Sequence, residues 1–168
     1  MWKKKISLAL VLMMVVGLLA GCGGPKSDVP VFVMFPENSP FNKSEEMEAS
    51  LKEKVGEQPT VEVFVSPMFN MDKLIVELAA GENGLFVVPK QQFDAFASQE
   101  GYISLDDTFK KADYPAGVYK DVLYGVPVTN TKWLKDLGYK GGEVMAFVPF
   151  RAKDKEKSKQ VLKAIMEK

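Results

Sequence analysis

The sequence contains no His, one Cys and a single Arg, Arg151, among its 168 residues. Without His there is no Ser-His-Asp or Cys-His catalysis, no imidazole metal ligand and no imidazole pH switch. One Cys, Cys22, leaves no intrachain disulfide and no Cys-based zinc site. Neither sign of charge is in excess. Lys plus Arg number 22, as do Asp plus Glu, so the composition offers no concentrated basic surface for nucleic acid. What remains is enough for a folded domain. The length fits one domain at roughly 100–200 residues per domain. A content of 46% hydrophobic and 11% aromatic residues can build a core.

The first segment is an address. Lys3, Lys4 and Lys5 form a positive n-region, and Ile6 to Ala20 is an apolar run interrupted only by Ser7 and Gly17. The run suits the h-region of a secretory signal and falls short of the ~20 residues a spanning helix needs. An uncleaved anchor helix is the alternative reading. The run ends in Leu19-Ala20-Gly21-Cys22, which resembles the bacterial lipobox. That resemblance implies cleavage before Cys22, a diacylglyceryl thioether on its sulfur and acylation of the new amino terminus, such as a palmitate. Two or three acyl chains anchor durably where one does not. The expected organisation is a signal peptide over 1–21, an acylated Cys and flexible tether over 22–28, and one domain over 29–168. The expected location is the extracytoplasmic face of a bacterial cell membrane. Losing residues 1–21 removes three Lys and leaves a net charge of about −3, too weak a balance to specify partners.

Beyond the tether, apolar runs alternate with amphipathic segments. Val29 to Phe35 reads as a buried strand and Thr60 to Val65 as a β-branched one. Leu85 to Val88 is a short third strand, stopped by Pro89. Between them lie a helix capped by Ser44 and running to about Val55, with Glu45 and Glu46 in its first turn, and one over about Met71 to Ala80 with Leu74, Ile75 and Leu78 on one face. A third helix covers Lys90 to Gln99. Val122 to Val128 reads as an irregular or edge strand because it carries Gly125 and Pro127. Thr131 to Leu137 reads as a short helix, Glu143 to Phe150 as another strand, and Lys153 to Lys168 as an amphipathic helix. This alternation predicts an α/β fold with a mostly parallel sheet of four to five strands and helices on both faces. Ligands of such sheets sit beyond the carboxyl ends of the strands.

Leu74 to Gly81 followed by Leu85 to Val88, then Phe93 to Phe96, Gly101-Tyr102 and Leu105-Asp106-Asp107, form an order of segments similar to that of extracellular solute-binding proteins of sugar ABC transporters. Tyr119 to Val128 resembles the family's "dGklYGlPv" run, and Ala152 to Lys159 its last helix. The family's "pD" is Asn83-Gly84 here. Where the second lobe would be inserted, between Asn130 and Val144, there is only a short loop. The resemblance therefore implies one lobe of a periplasmic-binding-protein-like, three-layer sandwich. Two-lobed binders close over a ligand by a hinge. One lobe offers an open groove.

Most polar clusters have a structural reading. Asp106-Asp107 reads as a cap or turn, because adjacent acids do not face each other on a helix or strand. Glu45, Glu46 and Glu48 read as a solvated helix face. Asn70 and Asp72 read as helix caps, and no Ca²⁺ loop spacing is present. The glycines at 81–84 and 138–142 form no phosphate-binding pattern, and no Ser sits in G-x-S-x-G. No metal or cofactor is called for, and no convergent nucleophile and base argue for an enzyme. The aromatic and amide residues at strand ends are the better clue, since sugars stack on rings and bind side-chain amides and carboxylates. Candidates are Glu37, Asn38, Phe69, Asn70, Lys90, Asn130 and Trp133, each of which alone also fits a structural loop role. The sequence thus points to a lipid-anchored protein that binds an oligosaccharide or helps take it up with ABC permease subunits. The alternatives are an accessory lipoprotein that binds no ligand and docks with a transporter or a polysaccharide-degrading partner, and, more weakly, a hydrolase.

Overall fold

The structure is a computed structural model and describes residues 26–39, 41–99 and 101–167. The expected signal peptide, Cys22 and the tether up to Pro25 lie outside the described residues. In chain order the elements are β1 (Val29–Val33), α1 (Ser44–Val55), β2 (Val61–Val65), α2 (Met71–Ala80), β3 (Leu85–Pro89), α3 (Lys90–Ala97), β4 (Val118–Tyr119), β5 (Val122–Leu123), β6 (Val126–Pro127), α4 (Lys132–Asp136), β7 (Val144–Phe147) and α5 (Lys155–Met166).

Five strands form one sheet in the order β2-β1-β3-β7-β6. β1 pairs parallel with both β2 and β3. β7 is antiparallel to β3 and to β6. Four of the five strands therefore share a direction, as the mostly parallel expectation required, with β7 the reversed one. The pleat splits the apolar runs between two faces. Val29, Val31, Val33, Val63 and Val87 meet Met47 and Leu51 of α1, Trp133 and Leu134 of α4, and Val161, Leu162 and Ile165 of α5. Phe32, Met34, Phe86, Val88, Met145 and Phe147 meet Leu74 of α2 and Phe93 and Ala97 of α3. Each fully buried large side chain contributes about 1.5–3 kcal/mol. Continuous apolar strands are thus the signature of a sheet covered on both sides, and the result is three layers.

β2 is an edge strand, and its exposed ladder is occupied from within the chain. Glu48 of α1 accepts the Val63 N–H at 2.9 Å, and the Ser44 hydroxyl donates to the Val63 carbonyl at 2.6 Å. Glu48 is therefore more than part of a solvated helix face. At the start of β1, Asp28 accepts from Lys157 at 2.6 Å and from the N–H and hydroxyl of Thr60, both at 2.9 Å. The Lys157 bond and then the Thr60 bonds hold the Asp28 carboxyl down to about 2.

The single irregular strand expected over Val122 to Val128 is two short pieces. Gly125 lies at the break, where a side chain has no room: a Cβ there would lie 2.6 Å from the Phe93 ring and 3.0 Å from the Ala146 carbonyl. Before it, β4 and β5 form a hairpin around Lys120 and Asp121, with φ of 47° and 67°. Positive φ at both central residues suits the right-handed twist of a two-residue hairpin. The expected last strand is trimmed to Val144–Phe147, and α3 stops at Ala97.

Candidate ligand groove

The carboxyl ends of β1 and β2 lie side by side and diverge into two loops. The first is a turn closed by the Ser39 N–H donating to the Pro36 carbonyl at 2.9 Å, with Glu37 and Asn38 exposed at its tip. The second runs Ser66-Pro67-Met68-Phe69 and is held by the Ser66 hydroxyl donating to the Met68 carbonyl at 2.8 Å. Between the loops is a hollow of about 200 Å³ lined by Phe35, Glu37, Ser39, Phe41, Met68 and Phe69, among others. Enclosed small-molecule sites usually run to about 300–1,000 Å³. The hollow is thus smaller and more open than a buried sugar site, as the resemblance to one lobe implies.

An aromatic cluster floors this end of the sheet. Ring centroids of Phe35 and Phe41 are 5.1 Å apart, those of Phe35 and Tyr139 4.7 Å, and those of Phe41 and Tyr139 5.4 Å. The Tyr139 hydroxyl donates to the Gly142 carbonyl at 2.7 Å, and burial pushes its phenol up to about 12. It is therefore a packing residue and not an acid. The Lys43 ammonium lies 5.6 Å from the Phe41 ring centroid and donates to the Leu137 carbonyl at 2.9 Å. The exposed Glu37 carboxylate and the half-buried Phe41 and Phe69 supply what the hollow can present: a hydrogen-bond acceptor and apolar ring surface.

The residues expected from sequence are distributed around this end. Glu37 and Phe69 line the hollow. Asn38 borders an adjacent shallow depression with Tyr139 and Lys140. Asn70 is the N-cap of α2, accepting the Lys73 N–H at 2.9 Å, so its amide oxygen is committed to the helix. Lys90 opens α3, pairs with Asp94 at 2.6 Å and donates its N–H to the Glu143 carbonyl at 3.0 Å. Asn130 is exposed in the loop between β6 and α4. Trp133 differs from the expectation. It is 0% exposed, packs in the main core, and its indole N–H donates to the Met47 carbonyl at 3.3 Å. No ring face is open for a ligand. Its position one residue into α4, just after the Thr131 cap, turns the side chain under the sheet and away from the strand ends.

Sequence reasoning missed Phe35, Phe41 and Ser39. Phe35 read as the last residue of a strand, and Phe41 belonged to no motif. The proximity of Phe41 to Tyr139, far along the chain, has no local signal. The acids at 106 and 107 are occupied structurally, as expected. Asp107 accepts from Lys159 at 2.6 Å, and Asp106 accepts from the Ser104 hydroxyl at 3.0 Å and the Leu123 N–H at 3.3 Å. Among the described residues, no group of three or more Cys, Asp or Glu is placed to hold a metal ion.

The chain is similar to YteS of Bacillus subtilis (strain 168), named as a candidate lipoprotein. The two are 26% identical over 176 residues, covering 98% of each. No family model matches. Among solved structures, the chain is similar to an extracellular solute-binding protein family 1 from Alicyclobacillus acidocaldarius subsp. acidocaldarius DSM 446, with 20% identity, a TM-score of 0.45, and coverage of 62% of this chain and 29% of that one. It is similar also to the ABC substrate-binding protein Lmo0181 from Listeria monocytogenes in complex with cycloalternan, at 18% identity, TM-score 0.42, and 60% and 28% coverage. An enzyme, thiaminase I from Bacillus thiaminolyticus, is a more distant likeness at 14% identity and TM-score 0.37, with 59% and 28% coverage. The chain spans less than a third of the length of each of these solved structures.

Proposed function

We propose that the chain is a lipoprotein, anchored through Cys22 on the extracytoplasmic face of a bacterial membrane, that binds an oligosaccharide in the open groove at the carboxyl ends of β1 and β2 and helps deliver it to an ABC transporter. The observation that carries the binding half of this reading is the hollow itself, whose lining includes the Glu37 carboxylate and the rings of Phe41 and Phe69. Sugars present hydroxyls to a carboxylate and apolar C–H faces to rings. The lipobox-like Leu19 to Cys22 and the similarity to YteS support the anchor. The resemblance of the chain's segments to solute-binding proteins supports the transporter.

A panel of oligosaccharides read by thermal shift tests the proposal. Ligand at about 100 times its Kd stabilises the folded state by about 2.7 kcal/mol, so at least one sugar should raise the melting temperature by several degrees. Phe69→Ala and Glu37→Gln should reduce that shift, while Phe64→Ala, on the far side of the β2 edge, should leave it in place. A panel in which no sugar moves the transition sinks the binding half.

A second reading has an observation of its own. Met71, Ile75 and Val76 of α2, and Met68 in the loop before it, are exposed apolar side chains. Such exposure fits an accessory lipoprotein that docks with a transporter or a polysaccharide-degrading partner and binds no sugar. Retention of a permease by the wild-type chain but not by Ile75→Glu, alongside a flat sugar panel, would favour it.

A further inference from the structure

The opposite end of the sheet carries a different chemistry. There β1 and β3 begin, β7 ends, α2 finishes and α5 starts. The loop from β7 to α5 holds Phe150, which is 61% exposed, followed by Arg151 and Lys153. The Lys155 ammonium lies 4.5 Å from the Phe150 ring centroid. The loop is pinned by the Phe150 N–H donating to the Gly101 carbonyl at 2.7 Å and by the Arg151 guanidinium donating to the Ala79 carbonyl at 2.6 Å. Among the described residues, Arg151, Lys153 and Lys155 form no ion pair with an acid. The acids at this end are engaged elsewhere: Glu82 with Lys26, Asp28 with Lys157, and Glu156 with Lys159. Asp154 caps α5, accepting the Lys157 N–H at 3.0 Å.

Lys26, the first described residue, lies in this cluster through its 2.5 Å pair with Glu82. Only four residue steps separate it from Cys22. At about 3.3–3.6 Å per residue, the chain reaches at most about 14 Å. A lipid on Cys22 therefore keeps Lys26 within that reach of the bilayer but leaves the domain free to tilt about it, so the tether alone does not choose the face that touches lipid.

We propose that the end bearing Phe150, Arg151, Lys153 and Lys155 is a bilayer-docking face, which rests on anionic lipid headgroups and holds the groove at the carboxyl ends of β1 and β2 pointing away from the membrane. This rests on the reading of Cys22 as the lipid anchor. Lys and Arg beside an anionic surface are attracted to its negative potential, and an exposed Phe ring buries at the boundary between headgroups and acyl chains. The tether makes the contact intramolecular. Its effective concentration is then high enough that a patch of one ring and three cations suffices, although it would not hold an untethered protein.

The test uses the full lipidated chain in vesicles. Acylation blocks Cys22, so an introduced Cys takes a fluorophore selectively. One label goes at Gln99→Cys, beside Gly101 at the docking end, and the other at Lys140→Cys, at the groove end. Vesicles contain phosphatidylcholine with about 30% phosphatidylglycerol and a lipid carrying a headgroup nitroxide quencher. The Gln99 label should be quenched at least about threefold more than the Lys140 label. That ratio should fall toward one when salt is raised from about 0.15 M to about 1 M, in vesicles of phosphatidylcholine alone, and in the Lys153→Glu/Lys155→Glu chain. The salt series needs no substitution at the docking loop, so it stands even if that variant folds poorly. A chain that floats with vesicles but quenches equally at both labels, or keeps its ratio at high salt, overturns the docking face and leaves the anchor intact. A chain that does not float overturns the anchor reading and the docking face with it.

Discussion

Trp133 shows how one residue's role turns on a single step of helix geometry. An aromatic residue just past a strand end suggests a stacking platform, and here it is instead the largest side chain with no exposed surface. Thr131 makes the difference. Its hydroxyl donates to the Val128 carbonyl at 2.7 Å, and its side chain caps α4. The chain is thereby turned so that Trp133 and Leu134 enter the core beside α1. Truncation of a buried Trp costs about 3–5 kcal/mol. Trp133→Ala should accordingly lower the melting temperature by roughly 10–20 °C at about 3–4 °C per kcal/mol, while any sugar-induced shift measured on the remaining folded fraction persists. If the variant melts like the wild type but loses a sugar response, Trp133 has a binding role that its burial denies. Phe69 is the contrast: it flanks the hollow and should move the sugar response more than the stability.

At the scale of elements, α1 and α2 were legible from their ends. Asn70 caps α2 and glycine ends both, whereas Ser44, expected to cap α1, is its first helical residue and gives its hydroxyl to the Val63 carbonyl instead. The parallel strands were legible from unbroken apolar runs. What local pattern could not show was the partner of each polar side chain. Glu48 looks like any exposed helical acid, yet it completes the ladder of β2, more than a dozen residues on. Likewise the need for glycine at 125 comes from Phe93 and Ala146, which are distant in sequence. The role of Glu48 has a measurable pH signature. Burial pushes its carboxyl up, but the bonds from Lys52 and from the Val63 N–H outweigh burial and hold it below its usual value. A group with a depressed folded pKa contributes stability that is present above its unfolded value, near 4.3, and lost as pH falls through the folded one. Glu48→Gln should therefore cost about 1 kcal/mol at neutral pH, with the gap to wild type closing as pH falls below about 4. A gap that stays constant from pH 7 to pH 3 in urea melts would show that the carboxylate's charge contributes nothing at this edge. Glu48→Ala, which unlike Gln leaves the Val63 N–H with no side-chain acceptor, opens a pairing site at this edge, so that variant should self-associate more readily in size-exclusion runs at high concentration.

For the whole molecule, the decisive feature is that one sheet with two helical layers supplies only one wall of a site. The two ends of that sheet divide the work: Phe35, Glu37 and Phe69 at the carboxyl ends of β1 and β2, Phe150 and its cations at the end nearer Lys26. A binder with two lobes shrinks when a hinge closes on its ligand. Here no second lobe exists among the described residues, and the loops bounding the hollow are tied back by short bonds such as Ser39 N–H to Pro36 and Ser66 hydroxyl to Met68. Ligand binding should then leave the shape unchanged. A compact domain of this size has a radius of gyration of about 14–15 Å, and small-angle scattering of the water-soluble domain should give the same value with and without a saturating sugar. An open groove also loses less water from the ligand than a closed one, so affinity should be weak and rise only when a partner covers the other wall. A contraction on sugar addition by the isolated chain would mean that the loops around Glu37 and Met68 close over the ligand by themselves, and the single-wall description would fail.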